Sequence, residues 1–362
     1  MIFIIIIALF VVGTFIVLQH PKFGKIPHGE RLERIKKSPN FRDGIFHNLN
    51  VTPQLAEDAK FTEMMKSMIV SKNRRPKGKI PSIKTDLNKL PPNENLLVWF
   101  GHSSYFMQVD GRKFLVDPVF CGHASPFSFS IKAFEGTDNY SVGDLPDIDY
   151  LIITHDHWDH LDYKTALKLK SKVNKVITGL GPGEHLEYWG FKKEQLIEKD
   201  WFESEMLEDG FKVTVTPARH FSGRGFKHKR TQWSSLVLET PTQKIFIGGD
   251  SGYDEHFTEI GEMFGSFDLA VLENGQYNKN WKYIHMSPDE TLQASLDLKA
   301  KRLFPVHNSK FALAYHTWDE PLKRITALNK EIKIPLVTPR IGEKVLLNDM
   351  AQKFSEWWTE ID

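Results

Sequence analysis

The stretch Thr154-His155-Asp156-His157-Trp158-Asp159-His160 brings three imidazoles and the Asp159 carboxylate into a single turn of chain. His155 and His157 are two apart, so in extended backbone their rings project to the same side. Asp159 and His160 follow at once. Nitrogen and carboxylate oxygen donors at this spacing suit a borderline cation such as zinc. A lone histidine in a polar loop carries no such weight; this clustering does.

The cluster needs a scaffold to aim it. Residues 150–154 form an apolar, β-branched run that reads as a buried strand, so the histidines begin where a strand ends. A helix is expected from 163 to 172. Three further residues repeat that placement. His220 lies just past an alternating strand at 211–216, Asp250 follows the apolar run 245–247 and two glycines, and His307 ends the strand 301–306. Each is a weak signal alone; together they are what a dinuclear site at a sheet edge requires. Other strands are expected at 96–100, 105–109, 113–117, 175–178, 236–239 and 269–272, with Asp110-Gly111 as a hairpin turn. Helices are expected at 56–71, 184–189, 254–264, 289–298 and 322–331. Strands and helices in two similar halves predict an α/β sandwich, two packed sheets covered by helices.

Composition narrows the classes. A formal charge of +1 gives no reason to expect a nucleic-acid partner, and 41% hydrophobic residues suffice for a real core. Cys121 is the single cysteine, so the metal site must be built without a thiolate cluster. No feature of the sequence reports an oligomeric state.

Ile2–Leu18 is almost wholly apolar, near the lower length limit for a membrane-spanning helix. No basic segment precedes it and no small-residue cleavage site follows it. Lys22, Lys25, Arg31, Arg34, Lys36 and Lys37 lie on its C-terminal side. This predicts a single-pass membrane anchor over 1–19 with the catalytic domain on the cytoplasmic side. A basic linker and extension over 20–90 and a hydrolase domain over 91–362 complete the expected organisation.

H-x-H-x-D-H is similar to the signature of metallo-β-lactamase-fold hydrolases. From about residue 38 to 347 the chain resembles their N-acyl-phosphatidylethanolamine phospholipase D-like branch. The motifs that carry this are Trp99-Phe100-Gly101-His102-Ser103, Pro217-Ala218-Arg219-His220-Phe221, Gly249-Asp250-Ser251-Gly252-Tyr253, Tyr283-Ile284-His285-Met286-Ser287-Pro288 and Pro305-Val306-His307. Asn308-Ser309-Lys310 departs from the branch, where Trp-Gly-Thr is common. The resemblance implies a metallo-β-lactamase-type αββα sandwich. It also implies two zinc ions, with other divalent transition metals as substitutes. His155, His157 and His220 would hold the first and Asp159, His160 and His307 the second, with Asp250 bridging. Such a pair acidifies a shared water into a nucleophile. Asp159 and His285 are the catalytic candidates, His285 acting on substrate or leaving group, or else serving as a capping or core residue.

The substrate-binding candidates remain open between two roles. His102 lines the pocket or hydrogen-bonds within its turn; Arg219 and Arg224 bind an anionic phosphate or form internal salt bridges. The leading expectation is a phospholipase D-type phosphodiesterase on N-acyl phosphatidylethanolamine-like lipids, with the bilayer as partner and a lipid or small phosphodiester as substrate. A lactonase or other ester hydrolase on a soluble substrate, and a non-catalytic membrane-anchored binding protein, are the alternatives.

Overall fold

The computed structural model describes residues 1–361. After a short hairpin of β1 (Phe41–Arg42) and β2 (Ile45–Phe46), one sheet is built from β3 (Leu96–Trp99), β4 (Tyr105–Val109), β5 (Arg112–Val116), β6 (Ile148–Ile153), β7 (Val173–Thr178) and β8 (Leu196–Glu198). A second follows from β9 (Ser204–Met206), β10 (Lys212–Thr216), β11 (Ser235–Glu239), β12 (Lys244–Ile247), β13 (Leu269–Glu273) and β14 (Leu303–Val306). The last strand, β15 (Lys344–Leu346), returns to the first sheet beside β3. Both sheets change from antiparallel to parallel pairing partway across: at β5–β6 in the first and at β12–β13 in the second.

The two-residue period of the strands makes the layers. Leu97, Trp99, Met107, Phe114 and Ile152 face inward and meet Val213, Val215, Leu236, Ile245 and Val271 of the second sheet in one core. Their neighbours Leu96, Val98, Phe106, Leu115 and Leu151 face outward, onto Leu161, Ala166, Leu169 and Leu186. On the far side Val237, Phe246, Ala270 and Leu272 pack on Phe257, Ile260, Leu292 and Ile325. The result is the expected α/β sandwich, helices outside and two sheets within. Asp110 and Gly111 both have positive φ (46° and 80°), as a two-residue hairpin turn between right-twisted strands requires.

The N-terminal expectation is corrected. Helix α1 (Ile2–Leu18) has 17 residues, about 26 Å at 1.5 Å per residue, short of a hydrocarbon core of about 30 Å. Among the described residues no helix is long and apolar enough to cross a membrane. The single-pass anchor, and the membrane localisation and sidedness read from it, therefore fall.

Residues after α1 pack against the sandwich. Helix α2 (Gly29–Ile35) buries Ile35, and Phe46, Ile80 and Leu87 are buried further along. Basic residues here are engaged by the domain: Arg31 contacts Glu184, Glu187 and Glu198, and Arg75 donates to the carbonyls of Lys132 and Ala133. Helix α3 (Phe61–Val70) is shorter than expected at its start. On the layers lie α4 (Tyr163–Leu169), α5 (Gly183–Tyr188), α6 (His256–Phe264), α7 (Pro288–Asp297) and α8 (Glu320–Ile332). The start of α7 is set by Glu290, whose side chain accepts from both Ser287 N–H and Ser287 Oγ at 2.9 Å.

Candidate metal centre

Strand ends supply the site. β6 delivers His155, β10 leads to His220, β12 to Asp250, and β14 to His307. Donor atoms of His155, His157, His220 and Asp250 lie within 4.8 Å of one another, as do those of His102, Asp159, His160 and His307. In the first group, His157 Nδ1 is 3.0 Å from His155 Nε2 and 3.1 Å from His220 Nε2. In the second, Asp159 Oδ2 is 2.9 Å from His102 Nε2, 3.2 Å from His307 Nε2 and 3.6 Å from His160 Nε2. Asp250 lies between the groups. Its Oδ1 is 3.1 Å from His160 Nε2, while Oδ2 is 3.8, 3.7 and 3.3 Å from His155, His220 and His307.

Further side chains aim these donors. Asp117, at the end of β5, accepts from Thr154 N–H (2.9 Å) and Thr154 Oγ1 (2.6 Å), and its Oδ2 accepts from His160 Nδ1 at 2.8 Å. That bond turns His160 Nε2 inward. His220 Nδ1 donates to the Ile284 carbonyl at 2.9 Å, which leaves Nε2 for the cluster. Glu273, fully buried at the end of β13, accepts from His285 Nδ1 and from Met286 N–H, each at 2.7 Å. Its Oε2 also lies 3.3 Å from His307 Nδ1. In sequence Asp117 closes the expected strand 113–117 and Glu273 follows the strand 269–272, neither with a role of its own. The available signal was the one used for Asp250, an acid closing an apolar strand.

Charge follows from burial and neighbours. Burial is the leading cause at His155, His157, His220 and His102. It holds His155 and His220 well below the usual histidine range and lowers His157 to about 4 and His102 to about 3. Burial acts the same way at His160 and His307, but Asp250 and Asp159 outweigh it, so His160 is raised well above that range and His307 to about 10. Burial would raise Asp159 and Asp250; His160 and the other imidazoles instead hold both well below the carboxylate range. Anionic carboxylates and the neutral His155, His157 and His220 are in the states that bind a cation, whereas His160 and His307 would exchange a proton for it.

The residues fit a metal on chemical grounds. His160 Nε2 and Asp250 Oδ1 are buried and face each other at 3.1 Å outside good hydrogen-bond geometry, an arrangement that a shared cation relieves. The donors are imidazole nitrogens and carboxylate oxygens, as zinc accepts. Cys121 stands apart, its thiol donating to the His123 carbonyl and pushed up to about 12 by burial.

The substrate candidates are placed differently. His102 is buried with the second donor group, its side chain on Asp159 rather than on its own turn. Arg219 donates to Thr52 Oγ1 and the Tyr253 carbonyl, each at 3.0 Å, and lies 3.4 Å from Asp254. Arg224 is 3% exposed, stacks 3.9 Å over Trp158, and donates to the carbonyls of Lys22, Asp156 and Leu161. Arg219 thus has an internal carboxylate partner, whereas Arg224 is held by backbone carbonyls and aromatic rings and by no salt bridge among the described residues. Asn308 and Lys310 are likewise internal: Asn308 Nδ2 donates to the Val306 carbonyl and Lys310 Nζ to those of Phe100 and Val119. His285, 13% exposed at its side chain, joins Asp250, Glu273 and His307 as a third group of convergent donors.

Comparison with known proteins agrees with this geometry. Residues 112–308 match the family described as the beta-lactamase superfamily domain. An uncharacterized protein of Mycobacterium tuberculosis is 33% identical over 329 residues, covering 89% of this chain and 88% of that protein. The N-acyl-phosphatidylethanolamine-hydrolyzing phospholipase D 1 of Caenorhabditis elegans is 30% identical over 263 residues, covering 68% and 74%. Among solved structures, Igni18, a metallo hydrolase from Ignicoccus hospitalis, superposes with a TM-score of 0.53 at 20% identity, covering 70% of this chain and 98% of that one. The chain therefore belongs to the beta-lactamase superfamily, as a metal-dependent hydrolase of the metallo-β-lactamase fold.

Proposed function

We propose that this hydrolase is a phosphodiesterase of phospholipase D type that acts on N-acyl phosphatidylethanolamine-like lipids with two zinc ions. The observation that carries the reading is Asp250, whose two oxygens reach donors of both groups. The similarity to the C. elegans phospholipase D supports the substrate class.

His155, His157 and His220 would hold one ion, Asp159, His160 and His307 the other, with Asp250 shared. A zinc pair in such a cage supplies Lewis acidity and an acidified water, so no serine or cysteine nucleophile is needed. His285 supplies the remaining chemistry. Its Nδ1 donates to Glu273, so Nε2 is the atom available to a ligand. From the rim of the donor cluster Nε2 accepts a proton as the neutral ring; as an imidazolium it can donate to a phosphoryl oxygen or pass that proton to the leaving alkoxide. Water attack then breaks the P–O bond and releases phosphatidic acid and an N-acylethanolamine. Glu273 keeps the imidazole oriented throughout.

The test is release of phosphatidic acid from N-acyl phosphatidylethanolamine, with and without chelator, alongside bis-p-nitrophenyl phosphate and a panel of lactones. Chelator-sensitive release is expected. Cleavage of lactones with no phosphodiester hydrolysis would replace this reading with an ester hydrolase.

A further inference from the structure

One route from the polypeptide preceding the sandwich to the metal loop runs through His185, beside those made by Arg224 on the Lys22 carbonyl and by Asn48 on the backbone of His220. Lys25 N–H donates to His185 Nδ1 at 2.9 Å. His185 Nε2 lies 3.0 Å from Asp156 Oδ2, and Asp156 sits between His155 and His157. A backbone N–H can only donate. It therefore makes Nδ1 an acceptor and leaves the ring proton on Nε2, directed at the carboxylate. The other tautomer would set a lone pair against Asp156 Oδ2.

Asp156 passes this constraint on. Its Oδ1 accepts from Gly223 N–H at 2.6 Å and its Oδ2 from Thr231 Oγ1 at 2.8 Å. Gly223 lies three residues after His220, so one buried carboxylate ties the loop carrying His155 and His157 to the loop carrying His220. The contact upstream is close-fitting. Gly24 has φ +74°, and a Cβ there would lie 2.1 Å from His185 Nδ1. The same segment grips α5 twice more: Trp189 Nε1 donates to the Pro21 carbonyl at 2.8 Å, and Arg31 contacts Glu184 and Glu187 at 2.9 Å each.

We infer that Gly24-Lys25, His185 and Asp156 form a positioning relay through which the N-terminal extension sets the aim of the first donor group, His155, His157 and His220. His185 and Asp156 act through those residues and touch no substrate. The inference rests on the metal-centre part of the proposed function and is independent of the substrate.

The test is cobalt(II) titration of the metal-depleted full-length chain, read by visible absorption, with thermal unfolding as a folding control. His185→Phe removes both nitrogens, His185→Gln retains a donor toward Asp156, and Gly24→Ala disturbs the relay from outside the site. Expected are an altered ligand-field spectrum and about 10- to 100-fold weaker affinity in His185→Phe and Gly24→Ala, with His185→Gln closer to the parent. If His185→Phe fails to fold, Gly24→Ala decides. Variants matching the parent's spectrum and affinity within about twofold would overturn the relay alone. A parent chain that binds no cobalt would overturn the metal centre and the relay with it.

Discussion

Glu273 Oε2 accepts a hydrogen bond from His285 Nδ1 at 2.7 Å, from a position with no solvent exposure. The same oxygen lies 3.3 Å from His307 Nδ1. One carboxylate thus orients the histidine at the cluster's rim and lies beside a histidine of the second donor group. Glu273→Gln is expected to lower kcat on bis-p-nitrophenyl phosphate by about 10- to 100-fold with a smaller change in KM. In the Glu273→Gln, His285→Ala double variant the losses are expected to fall short of the sum of the single ones. Additive losses would mean that Glu273 does not act through His285.

Asp117 orients His160 from the opposite side, and burial raises its carboxyl despite the His160 contact. Asp117→Asn retains the volume but presents an amide where His160 needs a charged acceptor. Metal affinity is expected to fall by about 10- to 100-fold, measured by competition with a chromogenic chelator. Unchanged affinity would reduce Asp117 to the turn residue that its sequence context suggests.

Away from the donors, His256 is buried beside Ser251 Oγ. Burial, against the opposing charge of Asp254, lowers it from 6.5 to about 4. Between those values the unfolded chain binds the extra proton and the folded chain does not. The contribution is therefore complete above about pH 6.5 and is lost as pH falls through the window toward 4, reaching about 3 kcal/mol. Urea unfolding of the parent and His256→Asn from pH 7.5 to 4.5 should show the parent losing more stability over that range. Parallel profiles would contradict the assignment.

The sequence was most readable where chemistry is contiguous. His155 to His160 needs no tertiary information, and His220, Asp250 and His307 announce themselves by closing apolar strands. Glu273 and Asp117 close strands too, but an acid after a strand is ordinarily a turn or cap residue. Only register distinguishes them: β13 pairs in parallel with β14, Glu273 opposite Val306, which brings its carboxylate to His307. The partners of Arg219 and Arg224 include Thr52 and the Lys22 carbonyl, from an extension far away in sequence. No local pattern encodes that contact. Helix α1 was legible as a helix; its length, rather than its composition, decides that it does not span.

The most direct measurement is metal content by elemental analysis of purified, folded protein, for the parent chain and for Asp250→Ala. About two transition-metal ions per parent chain are expected, falling to about one or fewer when the shared carboxylate is removed. A folded parent chain containing no transition metal, or an Asp250→Ala variant that retains the full complement, would contradict the convergence of two donor groups on Asp250.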